Sequence, residues 1–337
     1  MSTEDKKSAL ISLIFPILLI IAILRSRKEP LWAEAYRRLR KNWVALVSVT
    51  ILAFYGLVGV LDGIGWQVPG RIGSQTVVDK IFERQAEATY SAPFATKTSE
   101  MRPKPLISPG THPLGTDGVG ADVLYRSLKA VRTALSIGLL TVAISVPLAL
   151  FFGLISGYFG KRVDDAVQYT YTVLASIPEV LLLTAIILVL KPGVVAVCIA
   201  LGTTSWVNMC RLVRGETLRH RDREYVRAAK ALGASPFRIM VRHILPNLLP
   251  VVIISITLAL SNIVLFESIL SYLGVGVGPD TPSWGNMINA ARDELTRDPA
   301  VWWNITGAAL VLLILVLALN FLADALRDAI DPRLRSS

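Results

Sequence analysis

The sequence predicts an all-α integral membrane protein with a core of six transmembrane helices and one extra transmembrane helix at its N-terminus. Composition is the first observation behind this prediction. Of 337 residues, 53% are hydrophobic and only 18% are charged, where an average soluble domain carries about 25% charged residues, and the mean hydropathy is +0.54. The second is that the apolar residues gather in long blocks, the shortest at 9–24 and the longest at 131–159. None of these blocks alternates as a barrel strand does, and in lipid every backbone donor and acceptor must then be satisfied within its own helix. The third is the crowding of Lys and Arg into a few loops beside those blocks, the pattern that fixes orientation in a membrane.

Taken along the chain, residues 9–24 form a first apolar block, about 24 Å long as a helix against a hydrocarbon core of ~30 Å. It contains Pro16 and is followed by RSRKEP, which lacks small-residue cleavage chemistry, so a cleaved signal peptide is not expected. A segment lying in the interface is the alternative to a seventh span. Residues 1–42 thus comprise this block and a basic cytoplasmic linker, and 43–61 form the first core span. Residues 62–130 form an exported loop punctuated by Pro93, Pro103, Pro105, Pro109 and Pro113. Residues 131–323 form the rest of the core, with apolar blocks at 131–159, 166–190, 193–210, 246–273 and 301–323 and a cytoplasmic loop at 211–245, and 324–337 form a cytoplasmic tail. Asp122 is placed to cap a helix through Val123 and Lys129 that runs into the next span.

Basic residues set the orientation. Arg25, Arg27, Lys28, Arg37, Arg38, Arg40 and Lys41 precede the first core span, and nine Lys or Arg lie between Arg211 and Pro246. Both stretches are expected in the cytoplasm, which puts the Lys161–Arg162 loop and the C-terminus there as well. A net charge of +10 and a pI near 9.7 are explained by headgroups and this rule, so no nucleic-acid partner is expected. Cys198 and Cys210 lie twelve positions apart, about 18 Å along a helix and too far to bridge. With His112, His220 and His243 scattered, no metal site and no cofactor is expected. Nothing reads as GxSxG, HExxH or a paired-carboxylate site outside the apolar blocks, so no catalytic residue is assigned. The glycines of 115–120 and 274–278 lack the Lys-Ser/Thr of a phosphate loop and read as turns.

Two carboxylates inside apolar blocks stand out, because ionisable groups there are rare and commonly line a polar path. Glu179, following Pro178, and Glu267, near Asn262 and Ser268, are the candidate pathway residues together with Asn262. Hydrogen-bonded helix packing for Glu267 and a kink at the membrane edge for Glu179 are the plainer alternatives. Trp302 and Trp303 read as interfacial anchors. Asp324, Arg327 and Asp331 have the spacing of a self-paired helix face.

The stretch EYVRAAKALGASPFRIMVRHILPN at 224–247 reads as helix, turn, helix. Tyr225, Ala228, Ala229 and Leu232 recur at helical spacing, Gly233 suits a left-handed helix end, Ser235 suits a cap and Pro236 a first turn, and the second helix is expected to present Phe237, Met240 and Ile244 on one face. Packing on the chain's own helices and docking into a groove of another protein both fit this pattern. Ala228, Ala229, Gly233, Leu245 and Pro246 stand in the order of the coupling-loop motif of ABC importer permeases, which this stretch resembles. Arg227 and His243 depart from the general motif, in which Glu and Ile are usual, toward the dipeptide/oligopeptide branch.

The resemblance extends through HPLGTDGVGADVLYRSL (112–128), GYFGKRVDDAV (157–167), ESILSYLGVGVGPDTPSWGNMI (267–288) and LADALRDAIDPRLR (322–335), and is nearest to the second, C-type permease subunit of that branch. It implies a type I ABC importer permease core and a multi-pass protein of a prokaryotic cytoplasmic (inner) membrane. It further implies a heterodimeric pore with a sister permease, two cytoplasmic ATP-binding subunits that hydrolyse the ATP, and an extracytoplasmic solute-binding protein. Tyr225, Ala228, Ala229, Gly233, Ala234, Ser235, Pro236, Leu245 and Pro246 would then contact an ATPase subunit. The competing function is a proton-coupled secondary transporter using Glu179 and Glu267, for which no internal repeat is visible.

Overall fold

The computed structural model describes residues 30–67, 74–82, 87, 90–97 and 104–330; the block at 9–24 and residues 331–337 of the tail lie outside the described residues. Helix α1 (Pro30–Lys41) leads into α2 (Trp43–Gly63), whose first amides are satisfied by Asn42, its side-chain oxygen accepting from Val44 N at 2.9 Å and Ala45 N at 3.3 Å. A two-stranded antiparallel hairpin follows, β1 (Gly65–Gln67) with β2 (Ser74–Thr76). With two isolated β-bridges, Lys97 to Pro105 and Thr116 to Asp122, it is the departure from an all-α chain among the described residues. Thr76 and Asp79 then form a reciprocal capping box that starts the short α3 (Val77–Ile81).

Helix α4 (Val123–Phe159) is 37 residues long because Asp122 caps it ahead of the apolar block, accepting from Tyr125 N at 3.1 Å, a contact of the kind that contributes about 1 kcal/mol. It continues through Pro147. The next apolar block is not one straight span. It is split into α5 (Lys161–Ser176) and α6 (Glu179–Leu190), bent by 89°, because Pro178 has no amide to continue the ladder and disfavours helical geometry at Ile177. Helices α7 (Val194–Thr204) and α8 (Trp206–Arg221) are likewise separated at Ser205, although together they count as one apolar span. After α9 (Glu224–Ala231) and α10 (Pro236–Ile239), a π turn at Met240–Ile244 joins α10 to α11 (Leu245–Tyr272). Helix α12 (Trp284–Ala291), a 3₁₀ turn (Arg292–Thr296) and α13 (Trp303–Ile330) complete the described chain. Five helical segments are long and apolar enough to cross a membrane, and the bent α5–α6 pair is a further candidate.

Packing divides the bundle by level. At the end carrying α9, Leu154 of α4, Tyr171 of α5, Val213 of α8, Val226 of α9 and Leu248 of α11 share one apolar core. Toward the other end, a second core takes Ile137 of α4, Leu183 of α6, Leu201 of α7 and Ile263 of α11. A third joins α2, α4 and α13 through Tyr55, Val131 and Leu315. The most extensive helix contact joins α4 to α8, and a Cβ on Gly157 would lie 2.6 Å from Thr217 Cβ, so only glycine permits that approach. Cys198 and Cys210 sit on the separate helices α7 and α8, buried and unbridged.

Candidate functional site

The 224–246 segment forms a knob rooted in the first core. Val226 and Ala229 of α9 are buried, whereas Tyr225, Arg227 and Ala228 on its other side are exposed. The helix ends as the alternating small residues allow: Ala234 N donates to Ala229 O and Gly233 N to Lys230 O, both at 3.0 Å, the paired bonds of a Schellman end. Gly233 has φ +78°, with open space around a Cβ position, so its turn faces away from the rest of the chain. Ser235 caps α10 by accepting from Arg238 N at 3.4 Å, and Pro236 occupies its first turn. Leu232 is 88% exposed and Phe237 72% exposed, flanking the turn with two large apolar side chains.

The second helix differs from expectation. Met240 and Ile244 are buried with Ile239, while Phe237 points outward, because the helix widens into a π turn just before Pro246, which has no amide to donate. Leu245 is half-buried and Pro246 exposed at the start of α11. Two side-chain contacts root the knob in its own subunit, the Lys230 ammonium 5.1 Å from the Tyr158 ring centre and Tyr225 OH meeting His220 Nδ1 at 2.7 Å, and beside them Arg221 of α8 donates to Gly157 O of α4 at 3.2 Å.

The structure separates the candidate pathway residues. Glu267 is 1% exposed and its carboxylate accepts from Ser283 at 2.7 Å, Ser271 at 2.8 Å and Ser268 at 3.4 Å. It therefore ties the N-cap of α12 to α11, which is the hydrogen-bonded helix packing that stands as the plainer of its two readings. Asn262, further down α11, is exposed, and Glu179 is exposed in the first turn of α6 beside the bend.

At the end opposite the knob lies a polar network that sequence reasoning missed. Lys129 of α4 sits 2.8 Å from Asp62 at the end of α2 and 2.9 Å from Asp79 of α3, and donates to Thr76 at 3.3 Å, while Thr76 donates to Asp62 at 2.8 Å. Burial works to raise the Asp79 carboxyl, but the Tyr125 hydroxyl and the Lys129 ammonium outweigh it and hold it at about 2. Opposite charges at the end of one apolar block and the start of the next were the available signal. Beside this network, His112 Nδ1 meets Asp122 at 2.8 Å, and Glu87 accepts from Ile107 N at 2.9 Å. Glu294 is pushed up by burial, against the opposing bonds from Asn304 at 2.5 Å and from Tyr90. Trp303 is not an interfacial anchor: it is 4% exposed and donates to Thr116 O at 2.9 Å, leaving Trp302 as the exposed member of the pair.

Among the described residues no group of three or more His, Cys, Asp or Glu side chains is placed to hold a metal ion. The family model described as binding-protein-dependent transport system inner membrane component matches residues 149–336. The dipeptide transport system permease protein of Bacillus subtilis is 30% identical over 302 residues, 90% of this chain and 86% of that one. The oligopeptide transport system permease protein of the same organism is 30% identical over 305 residues, 90% of each chain. A di/tripeptide transport system permease protein of Pseudomonas aeruginosa is 36% identical over 224 residues, 66% of this chain and 73% of that one. Among solved structures, a chain of the inward-facing MetNI methionine ABC transporter aligns at a TM-score of 0.48 and 20% identity, covering 61% of this chain and 96% of that one. The chain belongs to the binding-protein-dependent transport system inner membrane component family: it is a multi-pass inner-membrane permease component of ABC importers, not itself the ATPase.

Proposed function

We propose that this chain is the C-type permease subunit of an ATP-driven importer of di- or oligopeptides, pairing with a sister permease to form the pore. The named relatives of two bacteria, all permeases of dipeptide, oligopeptide or di/tripeptide systems, support the substrate class. In this reading the knob end and the C-terminus face the cytoplasm, where two ATP-binding subunits dock. A solute-binding protein delivers peptide to the end formed by residues 62–130 and α12.

The observation that carries the reading is the pair of exposed apolar side chains, Leu232 and Phe237, on either side of the open Gly233 turn, in a segment whose other face is locked into the subunit core. A knob with an apolar tip and a rigid root suits insertion in a cleft and transmission of force. Tyr225, Ala228, Ala229, Gly233, Ala234, Ser235, Pro236, Leu245 and Pro246 make up this contact segment, with Ala229 acting from within its root. Glu179 and Asn262, both exposed, are the pathway candidates that remain, and the proton-coupled alternative loses its second carboxylate because Glu267 is sealed among three serines.

Co-purification of the tagged chain with ATP-binding subunits and uptake by the reconstituted complex test the reading. Gly233→Trp should abolish uptake while membrane insertion stays at the parent level. Transport at the parent rate in that variant, or uptake by the chain without any ATPase, refutes it.

A further inference from the structure

Three of the paths that join the two apolar cores are irregular where the cores meet, while α11 runs unbroken from Leu248 and Val252 in one to Ile263 and Leu270 in the other. In α4 the residues of one core end at Val142 and those of the other begin at Ala149, with Pro147 between them. The bent span contributes Val167 and Tyr171 of α5 to the knob-end core and Leu183 and Ile187 of α6 to the other, and its 89° bend at Ile177–Pro178 lies between. Helices α7 and α8 likewise serve different cores on the two sides of Ser205. Partly buried Val146 and Ile256 touch both cores. Two well-packed bodies are therefore joined by one continuous helix, α11, and by three connections that carry a proline, a bend or a break, and helices yield at proline and at interruptions of the ladder before they yield elsewhere.

The half-span α5 belongs to the knob-end body by polar as well as apolar contact. Arg214 of α8 grips Asp164 with two parallel bonds, Nε to Oδ1 at 2.5 Å and Nη2 to Oδ2 at 2.7 Å. One turn along, the Arg211 guanidinium lies 4.8 Å from the ring centre of buried Tyr171. Two-point guanidinium–carboxylate contacts fix orientation as well as distance. Asp164 is only 14% exposed and Arg214 23% exposed, so solvent screening of the pair is limited. The loop arginines read from sequence as orientation signals thus include two that clamp one helix to another.

We infer that Lys161–Ser176 moves as one rigid piece with the knob and α8, hinged against Glu179–Leu190 at Ile177–Pro178, and that Arg214 and Asp164 are positioning residues that couple ATPase closure to the bent span. The inference rests on the importer reading above. When the knob is driven, the clamp drags α5 with α8, and the bend converts that displacement into a change of angle beside exposed Glu179 in the first turn of α6.

The test uses the complete reconstituted transporter. ATP-dependent uptake by the parent complex is measured first; its absence sinks the importer reading and not the clamp. In a complex that passes, Arg214→Gln and Asp164→Asn are each expected to retain ATP hydrolysis and co-purification with the ATPase subunits while uptake per ATP falls about tenfold, and the double variant is expected to be no worse than either single one. Parental uptake per ATP in the single variants, or losses that add in the double, overturns the clamp.

Should the substitutions prevent assembly, the unsubstituted clamp is examined by spin-label distances, with Cys198 and Cys210 replaced by Ala. Tyr169 on α5 and Leu181 on α6 are 74% and 64% exposed, and the Arg219 side chain on α8 is 66% exposed. Labels at 169 and 181 are expected to change separation between the nucleotide-free and ATP-bound states, while labels at 169 and 219 keep theirs. The reverse pattern, or no change in either pair, overturns the hinge.

Discussion

The two ends of the bundle treat polarity in opposite ways. At the loop end, residues 62–129 bring Asp62, Asp79, Lys129, Thr76 and Tyr125 into one network of short contacts, and every one of these side chains is turned toward another part of the same chain. At the knob end, by contrast, the residues between Glu224 and Pro246 leave Leu232 and Phe237 in the open, while Tyr225 and Lys230 bind back to the subunit at the root and Ser235 caps a helix. A buried charge set is costly unless fully paired, so the loop end is built to hold its own shape. Apolar side chains left open on a rigid root suit coverage by another protein. The difference teaches that the charges at one end are satisfied within the fold, whereas the apolar tip at the other is left for the partner that the proposed function supplies.

Lys129→Met should give the largest effect and would break the comparison if it did not. Removing the ammonium leaves Asp62, which is 2% exposed, with only the Thr76 hydroxyl at 2.8 Å and the Arg132 guanidinium at 3.9 Å, a change that costs about 3 kcal/mol, the low end for breaking a buried pair. The thermal unfolding midpoint of the purified protein should fall markedly, and replacing Asp62 and Lys129 together by apolar residues should recover much of the loss. At the knob end the expectation is reversed. Leu232→Ser and Phe237→Ser should each leave thermal stability unchanged and weaken association with the ATPase subunits, by about 2 kcal/mol, or roughly 30-fold in affinity. A titration of ATPase subunits onto permease in detergent measures it. Equal affinity in both variants would mean that the tip is not the contact surface.

The all-α membrane architecture was legible because lipid leaves so few alternatives: runs of apolar residues must satisfy their own backbone, and helices do it. Local geometry was legible where one residue type has one job. Asp122, Gly233 and Ser235 take the cap and turn positions their chemistry suits. What stayed hidden depends on neighbours distant in sequence. Lys129 finds Asp62 and Asp79 only when α2, α3 and α4 meet, and Trp303 finds Thr116 O across the same end. The burial of Glu267 required Ser283 from the following loop, and the turn of Phe237 away from Met240 required the π turn before Pro246. Hydropathy also carries no record of direction, so a block containing Pro178 reads as one span although its halves lie at 89°.

A smaller effect follows from pH at the loop end. Asp79 is held at about 2 in the folded protein, below the ordinary carboxylate value near 3.9. A group depressed in this way contributes stability that is fully present above its unfolded pKa and is lost as pH falls through the folded one. The Asp79 share of that stability, followed by thermal melts, should hold from neutral pH down to about 4 and decline between about 4 and 2. In Asp79→Asn that part of the decline should disappear. Glu294 runs the other way: burial raises its carboxyl in the fold, so its contribution is present below the unfolded pKa and fades as pH rises through the folded one. Asn304→Ala removes a bond that opposes this rise and should steepen the fade.

Glu267→Gln should have the smallest effect of all, and its smallness is the informative result. The glutamine keeps an oxygen able to accept from Ser271 and Ser283 at the positions where the carboxylate now accepts at 2.8 and 2.7 Å, so the α11–α12 tie survives at a cost of about 1 kcal/mol. Uptake per ATP should remain within about twofold of the parent, since a group sealed at 1% exposure contributes packing and no differential contact along a path. A carrier that moves protons through this residue must instead stop, because an amide has no proton to exchange at accessible pH. Measuring uptake in this variant with the membrane potential and pH gradient collapsed therefore distinguishes a structural carboxylate that happens to lie at membrane depth from one that works there.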